Sequence, residues 1–316
     1  MDSRPGMNDM AHSRAVDRPV WVTGAGGLIG AEIVRRAPRC GPGWRVIPLT
    51  RGDLDLTDAT AVVRRFAVER PAVVIHCAGL TRGAQCEVEP ELAHRLNVGV
   101  TRCLAGLGGD AVLVFFSTDL LFDGVKGWYA EDDEPRPRGV YAESKRGGEL
   151  ATLEHSRHVV LRTTLNYGVS PTGDRSFNEE MVKAALAGRR LRLFVDEYRC
   201  PLPVIETARA TWEVVNALSG SAAGPRPQGI YHLAGAERLS RWEIGELVAM
   251  RHPELRGALE PSSIRDYQGP PRPADSSMRC DRIRPWLSRP LPGFRTWVEQ
   301  GGDPDRDDVG EWDRGR

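Results

Sequence analysis

A tyrosine and a lysine four residues apart, preceded by a threonine at the end of an apolar run, are the residues of this chain best suited to chemistry. The run at 111–116 predicts a buried strand that leads into Thr118, and the stretch from Tyr141 to Lys145 predicts a helix. Residues four apart share one helix face. A nearby positive charge favours the phenolate of a tyrosine. Tyr141 is therefore a candidate proton donor, and Thr118 a candidate to hold a carbonyl oxygen beside it.

The lysine is informative because the chain uses arginine almost everywhere else. Only Lys126, Lys145 and Lys183 are lysines, and all other basic residues apart from histidine are arginines. Lysine offers a compact, rotatable donor that arginine does not replace. On this pattern alone, a chance Tyr-x-x-x-Lys on a solvated helix face remains an equal alternative.

A glycine-rich turn lies between the first predicted strand, 19–22, and the first predicted helix, 31–36. Gly24, Gly27 and Gly30 follow one another at intervals of three. Such glycines allow a tight turn, close approach of a pyrophosphate and packing of helix on strand. The helix N-terminus then meets the phosphates. This context favours a dinucleotide site over a plain glycine-rich turn.

The end of the second predicted strand, Trp44–Leu49, bears on the choice of cofactor. An acidic residue near this point binds the ribose 2′-hydroxyl of NAD, whereas an arginine suits a 2′-phosphate. Arg51 occupies this region, which favours NADP(H) over NAD(H). In an arginine-rich chain, a surface role for Arg51 is the alternative.

Strand and helix patterns alternate through the first half of the chain. A helix at 59–70, capped by Thr57 or Asp58, precedes a buried strand at 72–75, and a helix at 90–107 precedes the strand that leads to Thr118. Alternation of this kind is typical of an α/β fold with a Rossmann-type doubly wound parallel sheet. His76 has no metal-ligand partners at useful spacing, so we expect a structural role for it and no metal site.

Composition excludes several classes of function. Among the 316 residues the formal net charge is zero, so bulk electrostatics favour neither nucleic acid nor an anionic membrane as partner. The six cysteines are scattered without a CxxC, which indicates reduced thiols in a cytoplasmic protein. No apolar run approaches the length of a membrane span. Residues 1–18 are expected to be a flexible segment without a signal peptide, and residues 301–316 a loose tail.

Several stretches together are specific enough to indicate a family. They are TGAGGLIG from Thr23, LDLTD from Leu54, EVEPELAHRLN from Glu87, FSTDLLFDG from Phe116, YAESKRGGE from Tyr141, RTTLNYG from Arg162, the segment 196–201 and PRPADSSM from Pro271. With them the chain resembles the extended short-chain dehydrogenases/reductases, and among these the dTDP-4-dehydrorhamnose reductase family, from about residue 20 to about residue 299.

The resemblance implies reversible hydride transfer between a nicotinamide and the carbonyl group of a nucleotide-linked 4-keto-6-deoxy sugar. Tyr141 would donate the proton, and Lys145 would lower the Tyr141 pKa and hold the nicotinamide ribose. Thr118 would bind the substrate oxygen and Asp119 a sugar hydroxyl, although a capping or loop role for Asp119 is equally open. Besides Tyr141 and Lys145, the implied cofactor contacts come from three strand ends: Gly24, Gly27, Leu28, Ile29, Gly30, Arg51, Asp55, Leu56, Cys77, Ala78 and Gly79.

The resemblance also implies a division of the chain. Residues 19–168 and 204–235 would form the NAD(P)-binding Rossmann domain, and residues 169–203 and 236–300 a smaller, C-terminal substrate-binding domain. A nucleotide sugar is the expected partner, and a homodimer is compatible with the resemblance.

Departures from the family's pattern cluster on the substrate side. An aromatic residue is replaced by Leu165, a glycine by Arg199, and an aspartate by Ala84. Because specificity resides in pocket contacts, these changes predict a related activated keto sugar instead of the rhamnose precursor itself. Arg199 would pair with the nucleotide diphosphate or lie on the surface.

Two other functions stay open at this point. A sugar-nucleotide epimerase or dehydratase of the same superfamily is one; a dehydratase commonly places a carboxylate pair after the threonine, and Asp119 is here followed by Leu120. A cofactor-binding regulatory subunit without catalysis is the other.

Overall fold

The computed structural model describes residues 18–219 and 224–302. Apart from residues 18, 301 and 302, the predicted flexible N-terminal segment and loose tail lie outside this range.

A parallel sheet of six strands forms the centre of the fold. Its strand order is β2-β1-β3-β4-β5-β10, and every pairing within it is parallel. In chain order the strands of the protein are β1 (Arg18–Thr23), β2 (Trp44–Leu49), β3 (Val73–His76), β4 (Val112–Thr118), β5 (Val159–Thr163), β6 (Asn166–Tyr167), β7 (Leu191–Phe194), β8 (Tyr198–Arg199), β9 (Leu202–Pro203), β10 (Gly229–Leu233), β11 (Leu239–Ser240) and β12 (Leu259–Ser262). The predicted doubly wound sheet of an α/β protein is therefore confirmed.

Helices cover both faces of this sheet, as parallel sheets require. In chain order the α-helices of the described residues, on this sheet and elsewhere, are α1 (Leu28–Cys40), α2 (Ala59–Glu69), α3 (Gly83–Val88), α4 (Pro90–His94), α5 (Val100–Ala105), α6 (Val140–Leu153), α7 (Phe177–Leu186), α8 (Val204–Leu218), α9 (Arg241–Arg251) and α10 (Phe294–Glu299). A π-helical turn, Arg95–Gly99, joins α4 to α5, so the helix predicted at 90–107 is present with one widened turn.

Alternation along the strands divides the apolar side chains between two cores. Val20 and Val114 lie in the core shared with α1 and α8, where Trp212 is fully buried. Their neighbours Trp21 and Leu113 lie in the opposite core, against α2 and α5. Because successive strand residues point to opposite faces, the short apolar runs of the sequence build both layers at once.

A third apolar core lies away from the six-stranded sheet. It contains Met181 of α7, Leu193 of β7, Leu247 of α9 and Phe294 of α10. Three two-stranded sheets, β6–β9, β8–β11 and β7–β12, lie in the same half of the chain. The strand at Gly229–Leu233 returns to the large sheet beside β5. The division into a Rossmann domain and a substrate-binding domain, with the boundaries given above, stays a prediction.

The described residues contain no helix both long and apolar enough to cross a membrane. Within the same residues no cluster of histidine, cysteine and carboxylate side chains is arranged to hold a metal ion. All six cysteines are free thiols.

Candidate active site

The structure brings Thr118, Tyr141 and Lys145 together at the carboxyl end of β4. Thr118 is the last residue of that strand, and α6 carries the other two side chains. The Lys145 Nζ donates to Phe116 O at 2.5 Å, and the Thr118 hydroxyl is hydrogen-bonded to the Tyr141 phenol. These contacts lock α6 against β4, so the three groups share one site.

Glycine allows α6 to approach the sheet this closely. A Cβ on Gly148 would lie 2.7 Å from the ring of Phe115 and 2.8 Å from Asn97 O. Any larger residue would push the helix, and with it Tyr141 and Lys145, away from β4. The sequence motif Lys-x-x-Gly-Glu thus contains both Lys145, a candidate catalytic residue, and Gly148, which allows α6 to hold Lys145 close to the sheet.

Protonation of the pair differs from the expectation based on sequence. Burial raises the pKa of Tyr141 to about 12, and the hydrogen bond from Thr118 partly offsets this. Burial lowers the pKa of Lys145 to about 8, against the opposing effect of Glu149. The expectation that Lys145 lowers the Tyr141 pKa is therefore not met: the phenol is protonated at neutral pH, and the charges that act on it come from other residues.

The glycine-rich turn has the shape that a pyrophosphate requires. Gly24 adopts φ +69°, and a Cβ there would lie 2.6 Å from Ala78 N. Gly30 packs against the Gly24 carbonyl so closely that any Cβ would overlap it. Gly27 precedes α1 as an N-cap without a side-chain hydrogen bond, and the first turn of α1 has no acidic residue. The amides at this N-terminus are thus free of protein caps, and the residues present fit a dinucleotide.

This turn lies where the chain reverses direction across the sheet, between β1 and β3. Ligands of open α/β sheets bind at such a point. Cys77 and Gly79 follow β3 directly, and Leu28 and Ile29 open α1 on the facing side. Burial raises the pKa of the Cys77 thiol, so Cys77 is uncharged here.

Arg51 lies in the exposed turn after β2, where a cofactor phosphate would be accessible to it. The first acid after it in the chain, Asp53, accepts hydrogen bonds from the backbone and hydroxyl of Thr50 at 2.9 and 2.6 Å. Asp55 is similarly bonded to Thr57, and Leu56 packs on the core beneath. The contacts predicted for Arg51, Asp55 and Leu56 stay predictions.

His76 has the structural position expected for it. Its Nδ1 is hydrogen-bonded to the Thr23 hydroxyl at 2.7 Å. Burial lowers the pKa of His76 to about 3, so the ring is neutral and joins β3 to β1.

Asp119 and Arg199, both predicted to contact the substrate, instead bind each other. The Arg199 Nε and Nη2 donate to the two Asp119 carboxylate oxygens at 2.6 and 2.7 Å. Both side chains are buried, so the alternative of a surface position for Arg199 is wrong. Leu165 is partly buried at the edge of the third core, and its predicted contact with the sugar stays a prediction.

Asn97 was not assigned a role from the sequence, yet it organises one wall of the site. Its side-chain amide bonds both the backbone N and O of Leu80, at 2.8 and 2.9 Å, and donates to the Ser144 hydroxyl on α6 at 2.9 Å. A buried asparagine within an apolar helix was the available signal. No feature of the sequence indicated the π-helical turn that directs Asn97 towards α6.

Comparison with known proteins identifies the family of this chain. Residues 18–303 match the family described as the RmlD substrate binding domain. The chain is 32% identical over 287 residues to the spore coat polysaccharide biosynthesis protein SpsK of Bacillus subtilis, covering 89% of this chain and 94% of that protein. It is 37% identical over 222 residues to a dTDP-4-dehydrorhamnose reductase of Streptomyces griseus, covering 68% and 70%.

The fold is also shared with a solved structure. The dTDP-4-dehydrorhamnose reductase of Bacillus anthracis in complex with NADP superposes with a TM-score of 0.77 at 24% identity, covering 90% of this chain and 98% of that chain. At this identity the likeness concerns the fold, and it agrees with the six-stranded parallel sheet.

Proposed function

Since the chain belongs to the family of the RmlD substrate binding domain, we propose that it reduces the keto group of a nucleotide-linked 4-keto-6-deoxy sugar with NADPH. The sequence-based identification of an extended short-chain dehydrogenase/reductase of the dTDP-4-dehydrorhamnose reductase type is confirmed. The chain is accordingly an NAD(P)H-dependent oxidoreductase acting on a nucleotide sugar.

The observation that carries the proposed reaction is the hydrogen-bonded pair of Thr118 and Tyr141 beside the glycine-rich turn. When bound, the nicotinamide supplies hydride to the carbonyl carbon. Thr118 orients the carbonyl oxygen, and Tyr141 passes its phenolic proton to that oxygen. A phenol whose pKa lies near 12 is protonated at neutral pH, which suits the acid of a reduction.

Lys145 would support the same step from the next turn of α6. Its ammonium lies 4.1 Å from the centre of the Phe115 ring and is held by Phe116 O. We propose that it also donates to the nicotinamide ribose hydroxyls. Since its pKa is about 8, Lys145 is mostly charged at pH 7 and loses that charge as the pH rises through 8.

The arrangement of Asp119 weighs against a dehydratase. A dehydratase of this superfamily needs a free acid or base beside the threonine. Here the neighbouring carboxylate is bound by the Arg199 guanidinium, and Leu120 follows it. A regulatory subunit would differ from the proposed reductase in one measurable way, since such a protein binds NADPH without turning over any keto sugar nucleotide.

Arg51 motivates a prediction on cofactor choice. The Bacillus anthracis reductase is a complex with NADP, and we propose that this chain also uses NADP(H), with Arg51 binding the 2′-phosphate. Arg51→Ala should weaken NADPH binding and leave NADH binding nearly unchanged, as measured by fluorescence titration. Arg64→Ala, which removes an exposed arginine of α2, should affect neither. Equal weakening of both cofactors in Arg51→Ala would contradict the assignment.

The substrate itself is tested by a panel of 4-keto sugar nucleotides that differ in nucleotide and sugar configuration. Leu165 lacks the flat surface of an aromatic residue, and Arg199 fills space that a glycine leaves open. We therefore expect the highest kcat/KM for a sugar other than the rhamnose precursor. A clear preference for dTDP-4-keto-L-rhamnose would show that these departures do not change specificity. Absence of turnover across the panel, with NADPH bound, would instead favour the regulatory subunit.

A further inference from the structure

We infer that the buried ion pair between Arg199 and Asp119 is a positioning element, which keeps the Thr118 hydroxyl proton available to the reacting oxygen. The inference rests on the proposed reductase function. It assigns a shared role to two side chains that the sequence suggested as separate contacts to the substrate.

The Asp119 carboxylate has no acceptor capacity left for a sugar hydroxyl. Besides the two bonds from Arg199, its Oδ2 accepts from the hydroxyls of Thr164 and Ser276, each at 3.0 Å. A carboxylate offers about four lone-pair positions, and together with the Thr118 hydroxyl five donors already share them. Asp119 therefore links the end of β4 to Arg199 of β8, to Thr164 just after β5 and to Ser276.

The Thr118 hydroxyl stands between this carboxylate and the catalytic phenol. Its oxygen accepts from Leu120 N at 3.2 Å, and it donates to the Asp119 Oδ1 at 3.3 Å, a long hydrogen bond. A hydroxyl has one proton to donate, and an unpaired carboxylate attracts it more strongly than a phenol or a carbonyl does. Because Arg199 Nη2 donates to the same oxygen at 2.7 Å, the bond from Thr118 is long, and its proton is held weakly enough to turn to the substrate oxygen.

The same two charges act on Tyr141 in opposite directions. After burial, which is the main cause of the raised Tyr141 pKa, Asp119 and then Cys86 raise it further, and Arg199 lowers it. Lys145, one turn further along α6, faces the Phe116 carbonyl. Removing one member of the pair would therefore expose the phenol to the charge of the other.

Arg199 stands where the resemblance to the family implies a glycine. Glycine cannot supply the two parallel donors that bind the carboxylate. Substituting Arg199 alone would leave the buried Asp119 without an ion pair, and substituting Asp119 alone would leave Arg199 with only the more distant Glu197, at 3.7 Å. Only a double substitution removes both charges together.

The test compares Arg199→Met, Asp119→Asn and the double variant with the wild type. The readout is the pH dependence of sugar oxidation by NADP⁺, the direction that requires the phenolate. In Arg199→Met the profile should move to higher pH by about 1 unit, and kcat should fall by about tenfold or more with KM little changed. In Asp119→Asn the profile should move to lower pH, and the double variant should return towards the wild type.

Three comparisons keep the outcome clear. Arg209→Met removes a guanidinium that binds Glu206 and Glu213 within α8, so its pH profile should match that of the wild type. Arg199→Lys keeps the charge and should also keep the profile, which covers the case in which Arg199→Met does not fold. NADPH affinity, measured by fluorescence titration, should be the same in all variants.

If the pH profiles of Arg199→Met and Asp119→Asn moved in the same direction, or if activity fell while the profiles stayed unchanged, the inference would be overturned. The ion pair would then be a structural link only. Ultraviolet absorbance titrates the Tyr141 phenol without any substrate, as the difference between Asp119→Asn and Asp119→Asn/Tyr141→Phe. The Tyr141 pKa obtained in this way should be lower than the one obtained from the difference between the wild type and Tyr141→Phe. An unchanged phenol pKa there would also overturn the inference. If the wild type turned over no sugar but the Tyr141 pKa still shifted in Asp119→Asn, the proposed reaction would be refuted and the inference on the ion pair would stand.

Discussion

Replacing Tyr141 by phenylalanine should lower kcat by about 10² to 10⁴, the usual worth of general acid catalysis, while NADPH still binds. The phenol is hydrogen-bonded to Thr118 and protonated at neutral pH, whereas the carboxylate beside that hydroxyl, Asp119, is bound by Arg199. The ring packs beside the small apolar cluster of Leu80, Cys86 and Ala93, and phenylalanine keeps that packing. Steady-state kinetics with the best sugar of the panel measures the loss.

A second tyrosine of the sheet provides the control for Tyr141→Phe. Tyr231 lies on β10, two strands from β4, and its hydroxyl accepts only a backbone bond from Gln228. Tyr231→Phe removes an equivalent hydroxyl and should keep turnover near the wild-type value. Near-normal turnover in Tyr141→Phe would remove the basis of the proposed mechanism, whereas a matching loss in both variants would point to a general effect on the fold.

Replacing Arg162 by methionine should lower the free energy of unfolding by about 3–5 kcal/mol, the cost of leaving one buried charge without its partner. Arg162 of β5 donates to both carboxylate oxygens of Glu149 on α6 at 2.8 and 2.9 Å. Both side chains are almost completely buried, and Glu149 keeps only the partly exposed Arg146 when Arg162 is removed. Urea unfolding, with its midpoint and slope, measures the change.

An exposed ion pair gives the matched control for Arg162→Met. Arg279 and Asp281 are paired at 2.5 Å with more than half of each side chain exposed. Because exposed pairs contribute about 0–1 kcal/mol, Arg279→Met should change stability little. A loss of the same small size in Arg162→Met would show that the Glu149 pair does not hold α6 on the sheet. Replacing both Arg162 and Glu149 by apolar residues should recover part of the stability, since the fully buried charge left by the single substitution is then removed as well.

Much of the fold followed from local patterns. Trp44–Leu49 forms a strand with the predicted bounds, because its length and flanking turns are encoded in adjacent residues. The predicted strand at 111–116 was shifted: the observed one runs from Val112 to Thr118, since Ser117 and Thr118 pair with Arg162 and Thr163 of β5. Polar residues at a strand end are indistinguishable from a loop until the neighbouring strand is known. The first helix is longer than its predicted core at 31–36, because Leu28 begins it directly after the glycine cap.

Residue identity and spacing alone determined the chemistry available to this protein. The interval between Tyr141 and Lys145 places both on one helix face, and the positions of Gly24, Gly27 and Gly30 allow a tight turn into a helix, whatever the rest of the chain does. Such local relations depend on backbone geometry within a few residues, so they can be read directly from the sequence.

Tertiary structure decided the charges and the partners. The pKa values of Tyr141 and Lys145 are governed first by burial, which depends on how many atoms from distant segments exclude water. Arg199 lies 80 residues from Asp119 along the chain, and an arginine in isolation could as well pair with a phosphate or face solvent. Which carboxylate it binds is settled only when β8 is packed against the end of β4, because the energy of a charge pair depends on distance and desolvation and neither is encoded locally.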